Sequence, residues 1–337
     1  MKEAVLYERV ESERVKCRLC RHGCTIDDGK TGICGVRRNV DGTLYTLVYD
    51  KVVSTAVDPI EKKPLFHVAP GSTSFSIATV GCNFQCSFCQ NYSISQMPRD
   101  EGRIVGEAYS PIDIVNTAVR RGCRSISYTY TEPTVFYELA RETMEEAHGH
   151  GLLNVFVTNG YMTREMLDDA AGLLDAANVD LKAFNDRFYT HYCKARREGV
   201  MDSLRYIKEL GIWLEVTTLL IPTLNDDPDE IRDMARFIRT DLGKETPWHV
   251  SRFYPQYREN KLPPTEVEAI GRVRRIGMDE GLEYVYSGNV PHDSGEKTYC
   301  PACAHTLIDR IGYHIAGYAV KDGLCPRCGR TVPGIGM

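Results

Sequence analysis

From residue 74 onward the chain alternates short β-rich runs with helical stretches, and this rhythm limits the available folds more than any other feature. The runs 74–80, 125–131, 154–158, 177–182, 213–221, 249–254 and 282–286 are β-branched or aromatic and nearly continuous in apolar character. Strands of that kind are buried on both faces. Between them, 111–121, 134–148 and 228–240 carry helical patterns. The first and third open with Pro in the first turn, and Ser110 suits an N-cap. Strands separated by helices mean βαβ units and a parallel sheet. Such units curl into a full or partial (β/α) barrel, with chemistry at the C-terminal ends of the strands. The expected class is therefore α/β.

The cysteines add the chemistry. Eleven of the 13 fall into three groups, and only Cys123 and Cys193 stand alone. The N-terminus carries charges where a signal peptide needs an apolar stretch, so the expected compartment is the cytoplasm, where clustered thiols mean metal rather than disulfides. The central group, Cys82, Cys86 and Cys89, lies in the loop after the first core strand, with three and two residues between successive thiols. Three thiolates so spaced can wrap one iron–sulfur cubane. A [4Fe–4S] cluster normally takes four cysteines. Three leave one iron free for a cofactor's amine and carboxylate. A zinc site drawing its fourth ligand from elsewhere is the plainer alternative.

Cys-x-x-x-Cys-x-aromatic-Cys after a first barrel strand resembles the signature of the radical S-adenosylmethionine (SAM) superfamily. The chain is most similar to the branch around pyruvate formate-lyase activating enzymes, and within it to the radical SAM proteins of the AmmeMemoRadiSam system. The stretches carrying the likeness are Cys89-Gln90-Asn91-Tyr92-Ser93-Ile94-Ser95, Tyr128-Thr129-Tyr130-Thr131-Glu132-Pro133-Thr134 and the N-terminal Cys-x-Leu-Cys-x-His-x-Cys. The resemblance implies a [4Fe–4S] cluster on Cys82, Cys86 and Cys89 that cleaves SAM to a 5′-deoxyadenosyl radical. That radical takes hydrogen from a substrate, a small molecule or a partner protein, which the sequence does not identify. It places Phe88 near the adenine and Glu132 at the methionyl amine, although Tyr130 and Thr131 stand where the family has two glycines. Thr158 and Asn159 match the end of the third strand. Asp180 and Lys182, two apart on a strand and so on one face, match the family's Asp-Leu-Lys and would meet the methionyl group. A salt bridge between the two is the structural alternative. Tyrosines at strand ends (Tyr128, Tyr130, Tyr254, Tyr286) either line a pocket or simply favour strands.

The outer cysteine groups lie in flanking segments, giving an expected division into 1–70, a core of 71–290, and 291–337. Cys300, Cys303, Cys325 and Cys328 form two knuckles separated by 21 residues and read as a closed, zinc-ribbon-like site that caps the barrel or docks a partner. Cys17, Cys20, Cys24 and Cys34, with His22, suit zinc or an auxiliary cluster, with reduced thiols around the glycine turns at Gly32 and Gly35 as the plainer alternative. Residues 287–294 read as a loop, 333–337 as a frayed tail, and Cys123 and Cys193 as small core residues. A net charge of −5 gives no nucleic-acid footprint, and no apolar run spans a membrane. The expected partners are a low-potential donor, flavodoxin or ferredoxin, and a protein substrate or the other proteins of the AmmeMemoRadiSam system. A glycyl-radical activase and a non-catalytic iron–sulfur or zinc protein for electron transfer or assembly are the competing functions.

Overall fold

A computed structural model describes residues 1–290 and 293–337. Its centre is an eight-stranded sheet: β1 (Ser54–Pro59), β2 (Thr73–Ala78), β3 (Ser125–Tyr128), β4 (Leu153–Thr158), β5 (Ala176–Asp180), β6 (Trp213–Leu220), β7 (Trp248–Arg252) and β8 (Val285–Gly288). Spatial order follows chain order from β8 back to β1. Strands β2 to β8 run parallel, and β1 pairs antiparallel with β2. Helices α1 (Pro111–Arg120), α2 (Tyr137–Gly149), α3 (Arg164–Ala170), α4 (Arg197–Glu209), α5 (Pro228–Phe237) and α6 (Val267–Asp279) fill the crossovers. The α/β expectation holds, in the form of an open, partial barrel.

Local chemistry sets the element ends. Ser110 Oγ accepts from the Asp113 amide and the Asp113 carboxylate accepts from the Ser110 amide, a capping box in front of Pro111. Strands stop two or three residues short of the apolar runs at several C-terminal ends, and of the residues beyond them Thr129, Tyr130, Thr131 and Lys182 line the site. Strand β1 lies inside 1–70, so that stretch adds an edge strand to the central sheet as well as its own small sheets.

The barrel's open side lies between β1 and β8, and other segments close it. A three-stranded antiparallel sheet, β9 (Thr298–Tyr299), β10 (Thr306–Ile311) and β11 (His314–Tyr318), packs there. From it the buried Arg310 donates to the Phe66 carbonyl (2.7 Å) and Thr298 Oγ1 (2.7 Å), and it faces Glu61 at 3.7 Å. The stretch expected to fray is instead anchored: the Ala69 amide donates to the Ile335 carbonyl (2.7 Å), and the Ile335 amide to the His67 carbonyl (2.8 Å). Its anchor is the loop after β1, which pattern reading cannot place beside residue 335. The predicted loop 287–294 begins as the end of β8; its positions 291–292 lie outside the described residues.

The candidate active site

The loop between β2 and the helical turn at Tyr92 carries Cys82, Cys86 and Cys89 into a cavity of about 440 Å³ at the C-terminal strand ends. The same cavity is lined by Phe88, Glu132, Thr158, Asn159, Asp180 and Lys182, so all the residues proposed from the sequence for the cluster and its cofactor meet at one place. The loop is clamped from behind. The Gln85 and Ser87 amides donate to the carbonyls of Cys193 (3.0 Å) and Tyr192 (3.0 Å), in the π-helical turn Tyr189–Cys193. Single π-turns recur at functional sites. Cys193 is thus fully buried beside Cys86, and the two thiols interact.

Lys182 Nζ lies 2.7 Å from Asp180 Oδ2 and 5.9 Å from the centre of the Phe88 ring. Burial disfavours its charge, but Asp180 and the thiols of Cys86 and Cys193 hold its pKa well above the ordinary lysine value. Glu132 is buried, and its carboxylate is fully engaged: Oε1 accepts from Thr134 Oγ1 (2.6 Å) and Thr158 Oγ1 (2.7 Å), and Oε2 from the Asn159 amide (2.8 Å). Burial pushes its pKa up even so. Here it ties the end of β3 to the end of β4. Asn159 Nδ2 in turn donates to Asn83 Oδ1 (2.7 Å) and lies 3.8 Å from Cys82 Sγ.

Tyr130 keeps a left-handed backbone, φ +64°. Its carbonyl accepts from Asn91 Nδ2 (2.8 Å), and its hydroxyl donates to Asp58, which also binds Lys63 Nζ (2.5 Å). Of the four strand-end tyrosines, Tyr130 lines the cavity; Tyr128 and Tyr286 are buried elsewhere, and Tyr254 is exposed.

Sequence reasoning missed the Asp58–Lys63–Tyr130 group and a second buried group, Glu215 with His249. Glu215 Oε2 is 2.6 Å from His249 Nε2, and Glu215 also accepts from the Phe66 and His67 amides. A charge in the middle of the apolar run 213–221 was the available signal. His249, Lys63 and Glu61 line the same cavity as the thiols. The hydroxyls of Thr217 and Ser287, also on its wall, are buried with no partner among the described residues.

The outer cysteines differ from each other. Cys300 and Cys328 sulfurs are 3.6 Å apart and those of Cys303 and Cys325 3.7 Å, and all four lie within 4.8 Å of one another, as ligands of one tetrahedral ion would. This group can hold a metal ion. Cys17, Cys20, Cys24 and Cys34 instead line a separate small cavity, against the loop after β4. There burial raises the pKa of the Cys34 thiol to about 11.

Comparison with known proteins agrees with this geometry. Residues 76–238 match the family model described as the radical SAM superfamily. An uncharacterized protein of Methanocaldococcus jannaschii, MJ0808, is 45% identical over 98% of this chain and 99% of its own length. The pyruvate formate-lyase-activating enzyme of Clostridium pasteurianum is 20% identical, covering 60% of this chain and 87% of that enzyme. Among solved structures, a radical SAM methyltransferase from Sphaerobacter thermophilus shares the fold at a TM-score of 0.52 and 20% identity, over 66% of this chain and 68% of that one. The chain belongs to the radical SAM superfamily and is a radical SAM enzyme whose substrate is unidentified.

Proposed function

We propose that Cys82, Cys86 and Cys89 hold the [4Fe–4S] cluster and that Asp180, Lys182, Phe88 and Asn159 receive SAM beside it. The observation carrying this reading is that one cavity is walled at once by three thiols and by an acid–lysine pair. The residues suit both groups. The thiols are soft iron ligands, three leave one iron position to the cofactor, and the partnerless hydroxyls of Thr217 and Ser287 await a polar occupant. Bound there, cluster and SAM supply an electron and a 5′-deoxyadenosyl radical.

The chain's own work is to orient and to exclude water. Lys182 offers its charge to the methionyl carboxylate and Asp180 accepts from the amine, each exchanging part of their mutual pairing for the ligand's zwitterion. Glu132 acts as a positioning residue that fixes the β3 and β4 ends. Phe88 gives the adenine an apolar face. The polar part of the wall with Glu61, Lys63 and His249 takes a small polar group of the substrate, either a free molecule or part of a partner chain. Low-potential reduction by a flavodoxin or ferredoxin, a cytoplasmic setting and zinc at the C-terminal cysteines complete the reading.

The test is anaerobic reconstitution with dithionite and SAM, reading 5′-deoxyadenosine by mass spectrometry. Wild type is expected to form it, and the Cys82→Ala/Cys86→Ala/Cys89→Ala variant is not. Lys182→Met is expected to keep its iron while SAM binding weakens roughly 10- to 100-fold, the range for losing a charged hydrogen bond of about 1.5–3 kcal/mol. A reducible, fully loaded wild-type cluster that leaves SAM intact would instead favour electron transfer or assembly.

A further inference from the structure

The N-terminal cysteines form a second built site. Cys17, Cys20, Cys24 and Cys34 come from a strand end and three turns, yet all face one apolar-walled cavity with Leu19, Ile26 and Ile33. Two further residues on that wall carry buried N–H donors with no partner among the described residues: Arg37, through Nε and Nη1, and Asn83, through Nδ2. Arg37 is 1% exposed; its remaining nitrogen bonds the Val5 carbonyl (2.5 Å) and Glu138 (3.0 Å). Four thiols and three unspent donors around one cavity call for an anionic, sulfur-rich occupant, because a buried donor without a partner costs about 1–3 kcal/mol.

Spacing separates a cluster from a single ion. The C-terminal sulfurs gather within 4.8 Å, whereas among the described residues no three of the N-terminal sulfurs do. Sulfurs spread around a cavity suit a polynuclear centre, in which N–H groups bond the bridging sulfides and tune the potential. We propose that Cys17, Cys20, Cys24 and Cys34 hold an iron–sulfur cluster of their own, with Arg37 and Asn83 donating to its sulfurs. It would lie next to the central site. Asn83 is the residue after Cys82, its carbonyl is 2.9 Å from the His22 ring nitrogen, and Arg99 bridges the carbonyls of Ile33 (2.8 Å) and Cys82 (3.2 Å).

The experiment uses the full chain, purified and reconstituted anaerobically with iron(II) and sulfide. Iron, acid-labile sulfide and zinc are counted, and EPR spectra are taken after dithionite with and without SAM. Wild type is expected to hold clearly more than the about four sulfides of one cubane. The Cys82→Ala/Cys86→Ala/Cys89→Ala variant is expected to retain iron and sulfide in equal amounts, with a reducible signal that SAM leaves unchanged. Four sulfides or fewer in a fully loaded wild type, or zinc in place of iron in a folded triple variant, would overturn the proposal. Loss of SAM cleavage with the second cluster intact would count against the central-site reading alone.

Discussion

Tyr130 shows how a residue can keep a backbone conformation its side chain disfavours. A bulky residue at φ +64° is strained by about 1–3 kcal/mol and persists only when its surroundings over-determine it. Asn91 holds its carbonyl, and Asp58 and Lys63 hold its hydroxyl end. Burial opposes the Asp58 charge, but Lys62, Lys63 and Tyr130 keep its pKa well below the usual carboxylate range. A depressed carboxylate contributes stability above its unfolded pKa and loses it as pH falls toward the folded one. Asp58→Asn is therefore expected to cost roughly 3–5 kcal/mol in urea unfolding at pH 7, since it strands the buried Lys63. The gap from wild type should narrow as pH drops below about 4; a gap independent of pH would refute this account. Cys193 gives a simpler contrast. Its thiol meets Cys86 behind the loop, so Cys193→Ala is expected to leave iron content at the wild-type level, whereas Cys86→Ala should lower it.

At the scale of elements, strands could be read from the sequence where burial on both faces produced an apolar run, and the three thiols of the central cavity where spacing was local. Edge strand β1 escaped because its burial alternates, a weaker signal inside a segment dominated by cysteines. The role of Glu132 was also hidden: its donors lie on β4 and its own turn, an arrangement fixed only once two strands pair. Glu132→Gln keeps the shape but turns an all-acceptor group into one that presents an N–H to donors. It is expected to lower unfolding free energy by roughly 1–3 kcal/mol. Deoxyadenosine formation should fall with it, as the Asn159 turn shifts; normal stability with lost activity would point to direct cofactor contact instead. Gly160 belongs to that turn, at φ +70°, where a Cβ would stand 2.6 Å from Val179.

Across the whole molecule, the flanking segments finish the barrel. Val15, Leu19, Val36 and Leu44 share one hydrophobic core with the strands, and the hairpin tip at Gly312 and Tyr313 reaches the cavity wall. Arg310 makes the closing contact, nearly fully buried beside Phe66 and Glu61. Arg310→Met would leave Glu61 facing no cation. It is expected to lower the melting temperature by several degrees, at about 1–2 °C per kcal/mol for a chain of this size. If the C-terminal cysteines hold a metal, stripping it with a chelator should likewise lower the transition of the barrel itself. A barrel transition untouched by chelation would show the segment to be a passive appendage.

The anchoring of residues 333–335 on the loop after β1 has a consequence for biosynthesis. Those partners are separated by 266 positions in the 2.7 Å contact of the His67 ring with the Pro333 carbonyl. Emerging from the ribosome at about 5–20 residues per second, the chain exposes Cys82, Cys86 and Cys89 many seconds before the residues that shut the barrel's side arrive. The loop of Cys82, Cys86 and Cys89 is thus made long before Ser287, Gly288, Gly312 and Tyr313 arrive to complete the cavity around it.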